Sequence, residues 1–69
     1  MRMLSIDSSN IEYVGYDERL QFLHIQFVNG TTYEYYDVPK RIYIDLITAS
    51  SVGKYFHKYI KDVYRCSKI

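Results

Sequence analysis

Five cations crowd the end of this chain: Lys54, Lys58, Lys61, Arg65 and Lys68, separated by four, three, four and three residues. On one continuous helix that spacing places all five along a single face. Such a stripe can follow a phosphate backbone, exchanging counterions for ammonium and guanidinium contacts. The same spacing also describes an ordinary solvated helix face, with cations near the C-terminus suiting the helix dipole. His57 lies among them. Residues 50–69 hold five basic and one acidic side chain, whereas residues 1–49 hold four basic and seven acidic ones. The net charge of +1 therefore conceals a polarised chain, and its basic part is the electrostatic hint of a partner.

Aromatic residues supply the second kind of chemistry. The chain has nine Tyr, three Phe and no Trp. Rings on a sheet can stack unpaired bases. Phe22 and Tyr36 are the candidates for an outward-facing stacking or anchoring pair. Tyr33 and Tyr35 read as core, because aromatic burial is how a small sheet is stabilised.

Nucleophilic and metal chemistry find little support. Cys66 is the single cysteine, which excludes an internal disulfide and fits a reducing compartment. Arg65 and Lys68 beside it would favour its thiolate, but no histidine is near it in sequence. His24 and His57 show no metal-ligand spacing. The three glycines, Gly15, Gly30 and Gly53, are isolated, so no phosphate-binding glycine loop exists. Neither a catalytic group nor a cofactor or metal site is expected. There is no apolar run long enough for a signal peptide or membrane span. The expectation is a cytoplasmic protein with no membrane partner.

The elements that must position these residues divide at Pro39, the one proline of 69 residues. A chain this short buries only about 60% of its unfolded surface. Before Pro39 the pattern is extended. Leu20 to Val28 reads as a strand, with Leu23, Ile25 and Phe27 alternating with His24 and Gln26. Thr32 to Tyr36 is another, and Asn29-Gly30 turns between them. A two-residue type I′ turn would set Glu34 opposite Ile25, among apolar residues. A three-residue loop, Val28-Asn29-Gly30 with Gly30 left-handed, instead sets Ile25 opposite Tyr33 and Leu23 opposite Tyr35. His24 then meets Glu34 on the other face. A one-residue slip exchanges the faces, so burial selects the three-residue loop.

Asn10 to Tyr16 is a further strand, joined to Leu20 by Asp17-Glu18-Arg19. Ile11 and Tyr13 fit one face, Val14 and Tyr16 the other, which implies a bulge near Gly15 or burial on both faces. Met3 to Ile6 adds a short edge strand. After Pro39, which suits a first helical turn, Ile42, Leu46 and Ala49 form an apolar stripe widened by Tyr43 and Ile47. Ser50 or Ser51 caps a second helix, whose stripe is Val52, Phe56, Tyr59, Ile60 and Val63. The expected fold is α+β: a three- to four-stranded antiparallel meander followed by two short helices packed on one sheet face, in a single domain spanning 1–69.

The order and spacing of several short pieces resembles the KTSC domain, named for the C-terminal extension of some lysyl-tRNA synthetases. The pieces are Ser8-Ser9-Asn10-Ile11, Val14-Gly15-Tyr16-Asp17, Leu23-x-Ile25-x-Phe27-x-Asn29-Gly30, Tyr33-x-Tyr35, Val38-Pro39 and Ala49-x-Ser51-x-Gly53-x-Tyr55-Phe56, with Ile60 and Tyr64 last. The resemblance runs from Asp7 to Tyr64, and it implies a stand-alone bacterial or phage form of the domain. It also implies no enzymatic activity, and RNA binding by attachment to a tRNA enzyme. Together these readings lead to a non-enzymatic binding module for RNA or single-stranded nucleic acid. Lys54, Lys58, Lys61 and Arg65 would contact phosphates, and Tyr36 or Phe22 would stack bases. The alternative is a protein-interaction module, a phage-type regulator of a host protein or a homodimer, using an exposed edge strand and an aromatic surface.

Overall fold

Asn29-Gly30 adopts the three-residue loop. In the computed structural model, which describes residues 1–69, the Gly30 N–H donates to the Phe27 carbonyl at 2.9 Å. The Phe27 N–H donates to the Thr31 carbonyl at 2.8 Å. Gly30 has φ +90°, a conformation that costs glycine nothing and a Cβ-bearing residue a good deal. The pairing Leu23↔Tyr35, His24↔Glu34, Ile25↔Tyr33 and Gln26↔Thr32 follows. Leu23 and Ile25 are fully buried, and the His24 imidazole meets the Glu34 carboxylate at 2.7 Å on the opposite face.

In chain order the elements are β1 (Met3–Ser5), β2 (Ile11–Asp17), β3 (Phe22–Phe27), β4 (Thr32–Tyr35), α1 (Lys40–Thr48), α2 (Val52–Tyr59) and β5 (Cys66–Lys68). The five strands form one antiparallel sheet in the order β1-β2-β3-β4-β5. The α+β class and its one-sided helical layer agree with the sequence pattern, and the sheet has one strand more than the meander expected.

That extra strand corrects the reading of the C-terminal segment. α2 ends at Tyr59, so Lys61, Arg65 and Lys68 do not continue a helical stripe from Lys54 and Lys58. The Lys61 N–H reaches back five residues to the Phe56 carbonyl, and Asp62 is left-handed with φ +63°. The chain then reverses onto the vacant edge of β4. There the Tyr36 N–H bonds the Arg65 carbonyl and the Ile69 N–H bonds the Thr32 carbonyl, each at 2.9 Å. Satisfying a bare sheet edge outweighs extending the helix, since backbone groups left beside a core must find partners. Tyr59, still within α2, and Val63, beyond it, both expected in the apolar stripe, are exposed.

The bulge of β2 also lies elsewhere than Gly15. The β2–β3 register shifts between Ile11 and Tyr13, leaving Glu12 as the extra residue. This turns Ile11, Val14 and Tyr16 to one face while Tyr13 points away. The other sheet expectations hold in outline: Met3–Ser5 pairs with β2 as an edge strand, and β3 begins at Phe22, with Leu20 exposed.

The core lies between sheet and helices. Ile11, Val14, Leu23, Ile25, Tyr35, Val38, Leu46, Phe56 and Ile60 form it. α1 is tied down by Tyr16, whose hydroxyl donates to the Val38 carbonyl at 2.6 Å and whose ring stacks on Tyr43 at 5.0 Å. α2 is started by Ser51, whose hydroxyl accepts from the Lys54 N–H at 3.3 Å.

Candidate functional site

The six residues expected to hold nucleic acid fall on two faces. Phe22, Tyr36 and Arg65 lie together on the helix-free face of the sheet. Phe22 meets Tyr36 edge to face with centroids 5.2 Å apart, and the Arg65 guanidinium lies 5.9 Å from the Tyr36 ring centroid. Arg65 also approaches the Asp37 carboxylate at 3.6 Å, which offsets its charge. Lys54, Lys58 and Lys61 stand instead on the helical side. Lys54 and Lys58 are exposed on α2, with the Lys58 ammonium 5.2 Å from the Tyr59 ring centroid. Lys61 follows in the turn.

Around Lys61 the structure builds something the sequence reading did not assemble. A cleft of about 370 Å³ opens between the end of α2 and strands β3 to β5. Phe27, Tyr33, Tyr35, Phe56 and Tyr64 wall it, and His57, Lys61, Asp62 and Cys66 complete it. The rings form a network: Phe27–Phe56 at 5.6 Å, Tyr35–Phe56 at 5.8 Å and Phe27–Tyr33 at 6.0 Å. Tyr35 and Phe56 are buried, but Phe27, Tyr33 and Tyr64 are only partly so. Tyr33 is thus not the fully covered core ring expected, because no helix lies over it. In register with Tyr33 on β5 is Lys68, and with Tyr35 is Cys66. Burial above all, then the neighbouring Cys66 and Tyr33, pushes the Tyr35 hydroxyl well above the usual phenol range. That phenol stays neutral across physiological pH. The cleft therefore offers ring faces and a neutral hydroxyl, with Lys61 and Asp62 at its rim and Lys68 in register beside Tyr33.

A second cavity, of about 510 Å³, adjoins α2 at its other end. Asp7, Ser8, Ser9 and Asn10 of the β1–β2 loop face Ser51 and Lys54 across it, and His57 lines it as well as the cleft. Both cavities were missed for the same reason. Each is closed by residues distant in sequence, and the missing clue for the cleft was a strand as short as Cys66–Lys68. No group of three or more His, Cys, Asp or Glu side chains converges, and no helix is long and apolar enough to cross a membrane.

The profile of the KTSC domain matches residues 7–64. The chain belongs to the KTSC domain family. A KTSC domain protein from Yersinia pestis superposes on it with a TM-score of 0.96 at 37% identity, covering 99% of this chain and 96% of that one. A protein of Tsukamurella paurometabola is 40% identical over 63 residues, spanning 91% of this chain and 94% of its relative. Lysine–tRNA ligase of Nostoc punctiforme is 34% identical over 67 residues, 97% of this chain but only 12% of the ligase. KTSC is a small domain of unknown function.

Proposed function

We propose that this KTSC domain binds single-stranded RNA, stacking a base in the aromatic cleft and holding the backbone on the cations around it. One observation carries the reading: half-buried rings of Phe27, Tyr33 and Tyr64 line a solvent-open cleft with Lys61 at its rim, and Lys68 is in register beside Tyr33. Aromatic stacking plus a cationic track is the general solution for an unpaired strand. Lys54 and Lys58 extend the track along α2. Arg65, Tyr36 and Phe22 lie outside it. The kinship with a segment of lysine–tRNA ligases adds an RNA context.

Fluorescence anisotropy with a labelled single-stranded oligoribonucleotide tests this. Three phosphate contacts predict an affinity loss of roughly tenfold to twentyfold between 50 and 200 mM salt. Charge reversal at Lys61 and Lys68 together should weaken binding further and flatten the salt dependence. Binding that ignores both salt and reversal overturns the proposal. So does a chain that takes no oligonucleotide but forms a dimer dispersed by Tyr36→Arg, which would transfer function to a protein contact on the helix-free face.

A further inference from the structure

We infer that His57 joins the aromatic cleft and the polar cavity into one two-compartment site that selects RNA over DNA, which deepens the RNA-binding reading and rests on it. A base would occupy the cleft, and the adjoining ribose–phosphate step would occupy the cavity.

The link is His57, which lines both spaces. Lys54 and His57 lie three residues apart on α2 and both line the polar cavity, while Lys61, in the turn beyond the helix, lines the cleft. The two cavities consequently meet at His57, with Lys54 lining one and Lys61 the other.

Their linings differ in a way that assigns the two halves of a nucleotide. The cleft is aromatic. The cavity presents four serine hydroxyls and the Asn10 amide, together with Asp7 and Lys54 on opposing elements. A carboxylate repels a phosphate but accepts a hydrogen bond from a sugar hydroxyl. Asp7 therefore fits the ribose side and Lys54 the phosphate side. Ser8 is positioned to assist. Its oxygen accepts from the Asn10 and Ile11 N–H groups at 3.3 and 3.4 Å, leaving its own O–H to donate. The Lys54 N–H is already satisfied by the Ser51 hydroxyl, so recognition falls to side chains rather than to the helix end. A 2′-hydroxyl both donates and accepts, and it is the group by which a protein tells RNA from DNA at a given site. An Asp7 carboxylate and a Ser8 O–H in one cavity offer it one acceptor and one donor.

The test compares oligonucleotides of one sequence on the intact domain: RNA, DNA, and RNA carrying 2′-O-methyl groups. RNA should bind about fivefold more tightly than either of the others, the effect of one or two net hydrogen bonds. The combined variant Asp7→Ala and Ser8→Ala should bring RNA and DNA to equal affinity, with circular dichroism confirming its fold. Lys54→Gln should weaken both polymers alike and lower the salt slope by about 0.7. Equal binding of RNA and DNA by the unaltered protein overturns this inference while leaving single-strand binding intact. Failure to bind either polymer overturns both. The 2′-O-methyl comparison needs no variant, so it decides the matter even if the double substitution unfolds.

Discussion

The two faces of the sheet carry similar residue types but arrange them differently. On the helix-free face, Phe22 and Tyr36 pack edge to face, Arg65 covers Tyr36 and leans toward Asp37, and His24 pairs with Glu34. Its charges and rings partner one another. On the helical face, five rings converge on the cleft, and the ammonium groups of Lys61 and Lys68 take part in no ion pair. Residue types alone thus do not distinguish a finished surface from an available one. What distinguishes them is whether each polar group has already been matched within the fold.

The contrast can be broken first at its strongest point. Phe56 is 4% exposed and touches Phe27 and Tyr35, so Phe56→Ala should cost about 3–5 kcal/mol in urea denaturation. That is a large part of the stability of a small domain. Tyr33→Ala should cost only about 2 kcal/mol, reflecting half the burial of a full ring, and should also weaken RNA binding. A loss equal to that of Phe56→Ala would make Tyr33 ordinary core and erase the distinction between wall and cleft.

Alkaline titration sharpens the comparison next. Burial is the first cause raising Tyr35, Tyr16 and Tyr55, with Cys66, Glu18 and Asp45 respectively adding to it. A raised folded pKa on a phenol favours the neutral form in the native state. The stability this gives is complete below the unfolded value of about 10 and is lost as pH rises through the folded values. The denaturation midpoint should be flat from neutrality to pH ~9 and fall above pH ~10. A midpoint that rises there would contradict the buried phenols.

On the helix-free face smaller effects are expected. Tyr36→Leu should cost about 1 kcal/mol, mostly the ring pair with Phe22, and leave RNA affinity within twofold. Glu34→Gln should cost less than about 1 kcal/mol, as cross-strand pairs do. A tenfold loss of RNA affinity in Tyr36→Leu would move the site to this face.

The hairpin was legible because one residue of slip would have buried Glu34 opposite Ile25, and that decides the register without any long-range knowledge. The helical segment from Lys40 was equally plain from Ile42 and Leu46. The last strand was not. Cys66-Ser67-Lys68 has neither alternation nor β-branched residues, all three are exposed, and their conformation comes from the free edge of β4. The same override explains why the lysine spacing misled: Lys54 and Lys58 do share a helix, but the periodicity beyond Tyr59 is coincidence. The two cavities needed residues that sequence keeps about forty positions apart, such as Ser8 with Ser51 and Phe27 with Tyr64.

β5 contributes nothing to the buried core, yet Cys66 walls the cleft and Lys68 stands beside Tyr33. It should therefore detach at a lower free energy than global unfolding, leaving the rest of the domain folded. In hydrogen-exchange terms, the amides bridging β4 and β5 should trade their protons far sooner than those of Ile25. A bound strand would slow that exchange selectively. If the proposed site holds RNA, the outermost ribbon of the sheet should act as a built-in occupancy gauge, reporting on the ligand through its own fraying.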